Sequence, residues 1–251
     1  MIETYTLVVI AGTFLLAGSV KGIIGLGLPT VSLGLLAAVL DLTTAMALLL
    51  IPSFVTNVWQ AAFGGNTKDI LKRIWPFLCL ATVTIWFGAT ALNTVNPFHL
   101  SILLGLLLLA YSSLNILGFR LSISPRHEKW SGLILGTLNG VFTGMTGSFV
   151  VPGVMYLQAI GLPRDLLVQA MGMLFALSTI GLAIALQKNN LLTPELAIIS
   201  ASAVVPAIIG MVIGQKVRKS LSETKFRKIF FVSILILGAF IITKSVLSLY
   251  T

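Results

Sequence analysis

The sequence predicts an all-α, polytopic membrane protein, and three observations predict it. Hydrophobic residues make up 57% of the 251 positions and charged residues only 9%, where a soluble domain carries about 25% charged residues. Mean hydropathy is +1.05, and the apolar residues fall in runs near the roughly 20 needed to span a bilayer. The longest polar stretches, about 119–129 and 215–228, are loop-sized and leave no room for a soluble domain.

Taken in order, the first element opens with "MIETYTLVVIAGTFLLAG", which carries Glu3 and lacks a basic n-region. It reads as a first membrane segment rather than a cleaved signal peptide. Residues 4–40 hold a single charge, Lys21. A continuous helix of that length would measure about 55 Å against a hydrocarbon core of about 30 Å. The chain must therefore break, and "KGIIGLGLPT" marks where, leaving segments at about 5–20 and 29–40. Uninterrupted spans follow at about 43–63, 70–93 and 98–118. Residues 130–163 are uncharged and interrupted by "LNGVFTGMTGSFVVPG", giving segments at about 130–144 and 151–161. Three more spans lie at about 165–187, 194–214 and 226–247. Each broken pair either crosses as two segments or re-enters its starting face.

The formal charge of +9 follows from topology rather than nucleic-acid binding, because Lys and Arg collect in cytoplasmic loops. Lys68, Lys72, Arg73, Arg120, Arg126, Lys129, Arg164, Lys216, Arg218, Lys219, Lys225, Arg227 and Lys228 fall on one side, Lys188 and Lys244 on the other. The first side is expected to be cytoplasmic, with both termini outside and the chain in the cell (inner) membrane. Trp75, Trp86 and Trp130 read as packing or interfacial anchors. The lone Cys79 has no partner for a disulfide and is expected to be a small packing residue.

Each half thus reads as a broken or re-entrant helix pair followed by three transmembrane helices, residues 1–124 and 125–251. An odd number of crossings per half makes the second an inverted repeat of the first. Landmarks agree: Lys21-Gly22 with Asn139-Gly140, Gly25, Gly27 and Pro29 with Gly144, Gly147 and Pro152, and Ala45-Met46 with Ala170-Met171. Pro76 and Gly88 pair in the same way with Pro206 and Gly214. Inverted repeats with broken helices belong to secondary transporters, whose substrate sits where half-helix ends meet near half depth.

Gly-rich backbone followed by Pro exposes amide N–H groups at a helix start, where partial positive charge attracts anions. Pro29 and Pro152 are each expected to start such a helix. Opened backbone survives in lipid only where protein or a water-filled cavity surrounds it, so the breaks should line a cavity. Lys21, Asn139, Thr143, Thr146 and Ser148 would add side-chain donors there. The carboxylates Glu3, Asp41, Asp69, Glu128, Asp165, Glu195 and Glu223 all fall at predicted ends or loops. No buried carboxylate is available as an obvious proton or sodium relay, while a cation, Lys21, beside two helix N-termini favours a small anion as the expected substrate.

The stretches "VKGIIGLGLPT", "ALLLIPSFVTNVWQA", "NGVFTGMTGSFVVPGVMYL" and "QAMGMLFALST" resemble the TauE/SafE family of membrane transporters, the sulfite exporter and toluene-sulfonate uptake permeases. The resemblance covers essentially the whole chain and implies inner-membrane carriage of sulfite, sulfonates or related organosulfur anions. The motif positions that match are Lys21, Gly22, Gly25, Gly27 and Pro29, then Pro52 and Asn57, and in the second half Gly140, Gly144, Gly147 and Pro152. Leu28 and Leu33 depart from it, standing where a further glycine and a second proline are common. The expected substrate-binding set is therefore Lys21, Gly22, Gly25, Gly27, Pro29, Asn57, Asn139, Gly140, Gly144, Thr146, Gly147, Ser148 and Pro152.

Each of these has a plainer reading. Lys21 could be a loop or snorkelling lysine, the glycines close-packing positions, and Asn57 an amide bonded to a neighbouring helix. Ser178, Thr179 and Gln169 are left out of the site because membrane Ser and Thr often satisfy their own backbone. The expected mechanism is alternating access. The alternatives are an anion channel or a carrier of a non-sulfur carboxylate. An enzyme is not expected, since the spans hold no His or carboxylate away from their ends to serve a nucleophile or metal. No cofactor, metal or nucleic acid is expected; the partners are the small anionic substrate and the lipid bilayer, with a homo-oligomer left open.

Overall fold

The computed structural model describes residues 4–119, 121–218 and 222–248. Glu3, Arg120 and Lys219 lie outside the described residues. The described chain is helical throughout: α1 (Thr4–Ile24), α2 (Leu28–Val39), α3 (Leu42–Ala62), α4 (Thr67–Val83), α5 (Ile85–Ala89), α6 (Ala91–Thr94), α7 (Pro97–Ile116), α8 (Glu128–Thr146), α9 (Gly153–Ala159), α10 (Arg164–Lys188), α11 (Pro194–Ser202), α12 (Val204–Val217) and α13 (Glu223–Leu247). Among the described residues seven spans are long and apolar enough to cross a membrane, with α4–α6 counting as one and α11–α12 as another.

Both expected breaks are present. α1 ends at Gly25, whose N–H donates to the Lys21 carbonyl at 2.8 Å, and α2 starts after Gly27 with φ +109°, a left-handed value that favours glycine. Pro29 sits in the first turn of α2, where its missing N–H costs nothing. In the second half Gly147 ends α8 with φ +74°, and an irregular segment runs to α9, whose cap is Pro152 rather than a first-turn proline. The backbone on both sides of each break is buried, residues 27–34 and 146–151, so protein rather than lipid surrounds it.

Two spans are more interrupted than expected. The helix at 70–93 is divided at Thr84, whose hydroxyl donates to its own Leu80 carbonyl and to Thr137 of α8, and again at Thr90. The helix at 194–214 is divided at Ala203, three residues before Pro206, which cannot donate to the Ser202 carbonyl. Cys79 is exposed on α4 rather than packed inside.

The tightest helix crossings are α1 on α12 and α8 on α4 and α5, with α3 packed along α10 and α7 along α13. Glycine sets the first two. A Cβ on Gly18 or Gly22 would stand 2.1–2.2 Å from the carbonyl oxygens of Ala207 and Met211 in α12. A Cβ on Gly144 would stand 2.1 Å from the Ile85 carbonyl in α5, and one on Gly140 2.7 Å from that of Ala81 in α4. Small residues allow such backbone contact, which drives helix association where no hydrophobic effect operates.

α3 carries Pro52 in its interior, which leaves the Leu48 carbonyl without its helical donor. The Ser200 hydroxyl of α11 takes that place at 2.8 Å and accepts the Ile51 N–H at 3.1 Å. The opened turn is thereby repaired by a neighbouring helix, just before the polar stretch Ser53, Thr56 and Asn57.

Candidate functional site

Lys21 lies in the last turn of α1, where the surrounding residues Val20 to Ile24 are all buried. Its side chain is 4% exposed, so it is neither a loop lysine nor a snorkelling one. The ammonium donates to the Asn57 side-chain oxygen and to the Thr56 hydroxyl at 3.2 Å. Thr56 can accept because its own proton goes to the Pro52 carbonyl at 2.8 Å. Among the described residues no carboxylate takes part: Asp41, Asp69, Glu128, Asp165 and Glu195 sit at the caps or first turns of their helices, where the helix dipole favours negative charge.

The second cluster is built on α8. The Asn139 side-chain oxygen accepts the Gly153 N–H at 2.8 Å, fastening the start of α9 to α8. Thr143 donates to the Ser148 carbonyl at 2.9 Å, and Thr146 accepts the Ser148 N–H at 3.2 Å. These bonds fold the irregular segment back onto its own helix. Ser148 and Thr146 are both buried.

The polar inventory at these clusters is unbalanced. Of the five buried side-chain atoms without a hydrogen-bond partner among the described residues, four lie on these helices, Asn57 Nδ2 and Ser53 Oγ on α3 and Asn139 Nδ2 and Ser178 Oγ on α8 and α10, and the fifth is the Tyr111 hydroxyl on α7. Leaving a buried polar group unmatched costs about 1–3 kcal/mol. Both amide nitrogens are obligate donors and both serine hydroxyls can donate, so the surplus, like Lys21, is of donor capacity.

The clusters are close but separate. Gly172 of α10 packs on the Asn57 backbone, while Leu174, about 200° further round the same helix, packs at Gly153 beside Asn139. α10 therefore stands between them. The two breaks are likewise staggered: Gly27 caps α2, and Gly147 packs on Leu33, about 9 Å further along α2. None of the thirteen expected residues lines either of two large cavities, of about 510 and 600 Å3.

Gly22, Gly140 and Gly144 meet helix backbone at the crossings described above, and packing accounts for their missing side chains. Gly25 and Gly27 hold left-handed backbone at the first break and Gly147 at the second. Thr179 bonds its own Phe175 carbonyl at 2.6 Å, and Gln169 ties α10 to Ala61 and Thr67. Ser178, set aside with them, does neither. Sequence reasoning also missed Ser53 and Thr56. The signal was present in "PSFVTN", where Ser53, Thr56 and Asn57 share one helical face after a proline.

A multi-pass helical chain with two helix breaks and a lysine enclosed among polar side chains beside the first of them has the build of a membrane transporter. The chain belongs to the sulfite exporter TauE/SafE family, whose family model matches residues 10–241. Members are transporters rather than enzymes. No curated protein and no solved structure matches the chain.

Proposed function

We propose that this protein is a secondary transporter of a small anion, sulfite, a sulfonate or a related organosulfur anion, working by alternating access. The observation that carries the reading is the pairing of an enclosed ammonium with four unmatched polar groups and no interior carboxylate among the described residues. Such surplus donor capacity suits an oxyanion, which presents acceptors only. Lys21, Asn57 and Ser53 would bind on one side of α10, Asn139 and Ser178 on the other. Because Lys21 is 4% exposed, reaching it from either face requires helices to part.

Two inverted halves, residues 1–124 and 125–251, would supply that motion. The reading pairs α1 with α8, α3 with α10, α4–α5 with α12 and α7 with α13. Exchanging the halves then turns the α1–α12 crossing into the α8–α5 crossing and returns α3–α10 and α7–α13 to themselves. The helix contacts support this, as do the glycines at Gly18 and Gly22 against those at Gly140 and Gly144. The basic loops support an inner-membrane chain with both termini outside.

A thermal-shift screen of the purified protein against sulfite, sulfate, sulfonates and carboxylates, repeated with Lys21→Ala, tests the reading. A shift with sulfite or a sulfonate that vanishes in the variant supports it. Stabilisation by none of these anions, or an unchanged response in Lys21→Ala, defeats it.

A further inference from the structure

The larger cavity is a groove of about 600 Å3 between α1 and α13, floored by α2. Its floor is apolar and buried, with Val31 and Ile234 under 7% exposed, while its rims, Leu16, Ile229, Ile236 and Phe240, are more than half exposed. Ser233 is the only polar residue lining it. It exists because α2, at 12 residues, measures about 18 Å and cannot fill the whole depth between two full spans. Below the start of α2 Val20 and Phe230 close over Gly27, each within 3.3 Å of where a Cβ would stand.

Large side chains on the rims argue against a docked helix, since helix association in lipid favours small residues. A flexible apolar chain fits instead. Phe226 and Phe240, both groove-lining residues of α13, are separated by about 21 Å of helix rise, more than the about 15 Å that one leaflet's acyl chains contribute to the core. The Phe226 end is basic. Lys216 and Arg218 close α12 and begin the short connection that leads into α13 just before Phe226, and Lys225 lies on α13 at the edge of the groove-lining stripe. All three are exposed. The connection "KVRKSLSETK" (216–225) has four basic residues against one acidic.

We infer that the groove is a binding site for one anionic phospholipid, with an acyl chain along α13 and the phosphate held by Lys216, Arg218 and Lys225. Seated there, the chain would fill the space between α1 and α13 and press Phe230 onto the first break. The basic mouth supplies the preference for a negative headgroup, and the apolar walls supply the length.

Native mass spectrometry of the purified protein with phosphatidylglycerol or phosphatidylcholine tests this. The wild type is expected to retain phosphatidylglycerol at least several-fold over phosphatidylcholine. The triple variant Lys216→Gln, Arg218→Gln, Lys225→Gln is expected to bring that ratio near one, and Ser233→Trp, which fills the groove, to lose bound lipid of both kinds while remaining monodisperse. Equal retention of both lipids by the wild type overturns the inference. So does a preference that survives in the triple variant, or a Ser233→Trp variant that sheds a second copy of the chain instead of lipid.

Discussion

The Lys21 ammonium and the Asn57 side-chain oxygen, 36 positions apart in sequence, are hydrogen-bonded inside the protein. The bond joins the end of α1 to α3 next to the first break, and the Asn57 amide nitrogen stays unmatched. The two partners are not equivalent when removed. Asn57→Leu strands a buried charge with Thr56 alone, whereas Lys21→Met strands only a neutral oxygen. Asn57→Leu is expected to cost at least about 2 kcal/mol and more than Lys21→Met. Thermal unfolding in one detergent ranks them, and the reverse order would refute the assignment of Asn57 as the main acceptor.

Asn139 supplies the acceptor for the first N–H of α9. In Asn139→Leu that donor is buried without a partner, and a loss of about 1–3 kcal/mol is expected. Proteolysis near residues 147–153 should accelerate along with the fall in melting temperature. Wild-type rates there would mean that α9 is held by something else.

The glycine crossings predict a sharp contrast among substitutions of one type. Gly22→Ala and Gly144→Ala place a Cβ about 2.1–2.2 Å from a backbone oxygen and should reduce the yield of folded protein severely. Gly12→Ala, with nothing within 4 Å, should be neutral or slightly stabilising. Fluorescence-detected size-exclusion profiles of the three variants would separate them, and matching profiles would show that the crossings yield more easily than their geometry implies.

Ser200 serves the turn opened by Pro52. Ser200→Ala leaves the Leu48 carbonyl bare inside the protein and is expected to destabilise by about 1–3 kcal/mol, while Ser202→Ala, whose hydroxyl serves only its own helix, should cost little. Urea or heat titration of both variants provides the comparison.

Sidedness is open to labelling in a Cys79→Ala background. Asn190→Cys, in the exposed connection after α10, is expected to react with an impermeant maleimide in whole cells. Ser124→Cys, before α8, should react only after permeabilisation. The opposite pattern would invert the proposed orientation.

Much of this architecture was legible because the bilayer constrains it so strongly. Run length and charge located every span to within a few residues, and the lone Lys21 with Gly25, Gly27 and Pro29 located the first break. What escaped were features decided between distant segments. The breaks at Thr84 and Ala203 depend on a hydroxyl bonded to α8 and on a proline three residues away. Gly22, Gly140 and Gly144 were taken with the binding set because an opened backbone and a close crossing ask for the same residue, and only the facing helix tells them apart. Ser53 and Ser178 became visible as unmatched donors only once their neighbours were in place.

The crossing of α1 on α12 also bears on how the chain is made. Helix α1 is synthesised some 180 residues ahead of its closest partner α12, so Gly18 and Gly22 must wait in lipid or with a chaperone until Ala207 and Met211 arrive. The packing of α1 cannot be completed until α12 has been made, and a chain truncated before residue 204 would be exposed to quality-control proteolysis with α1 unclaimed.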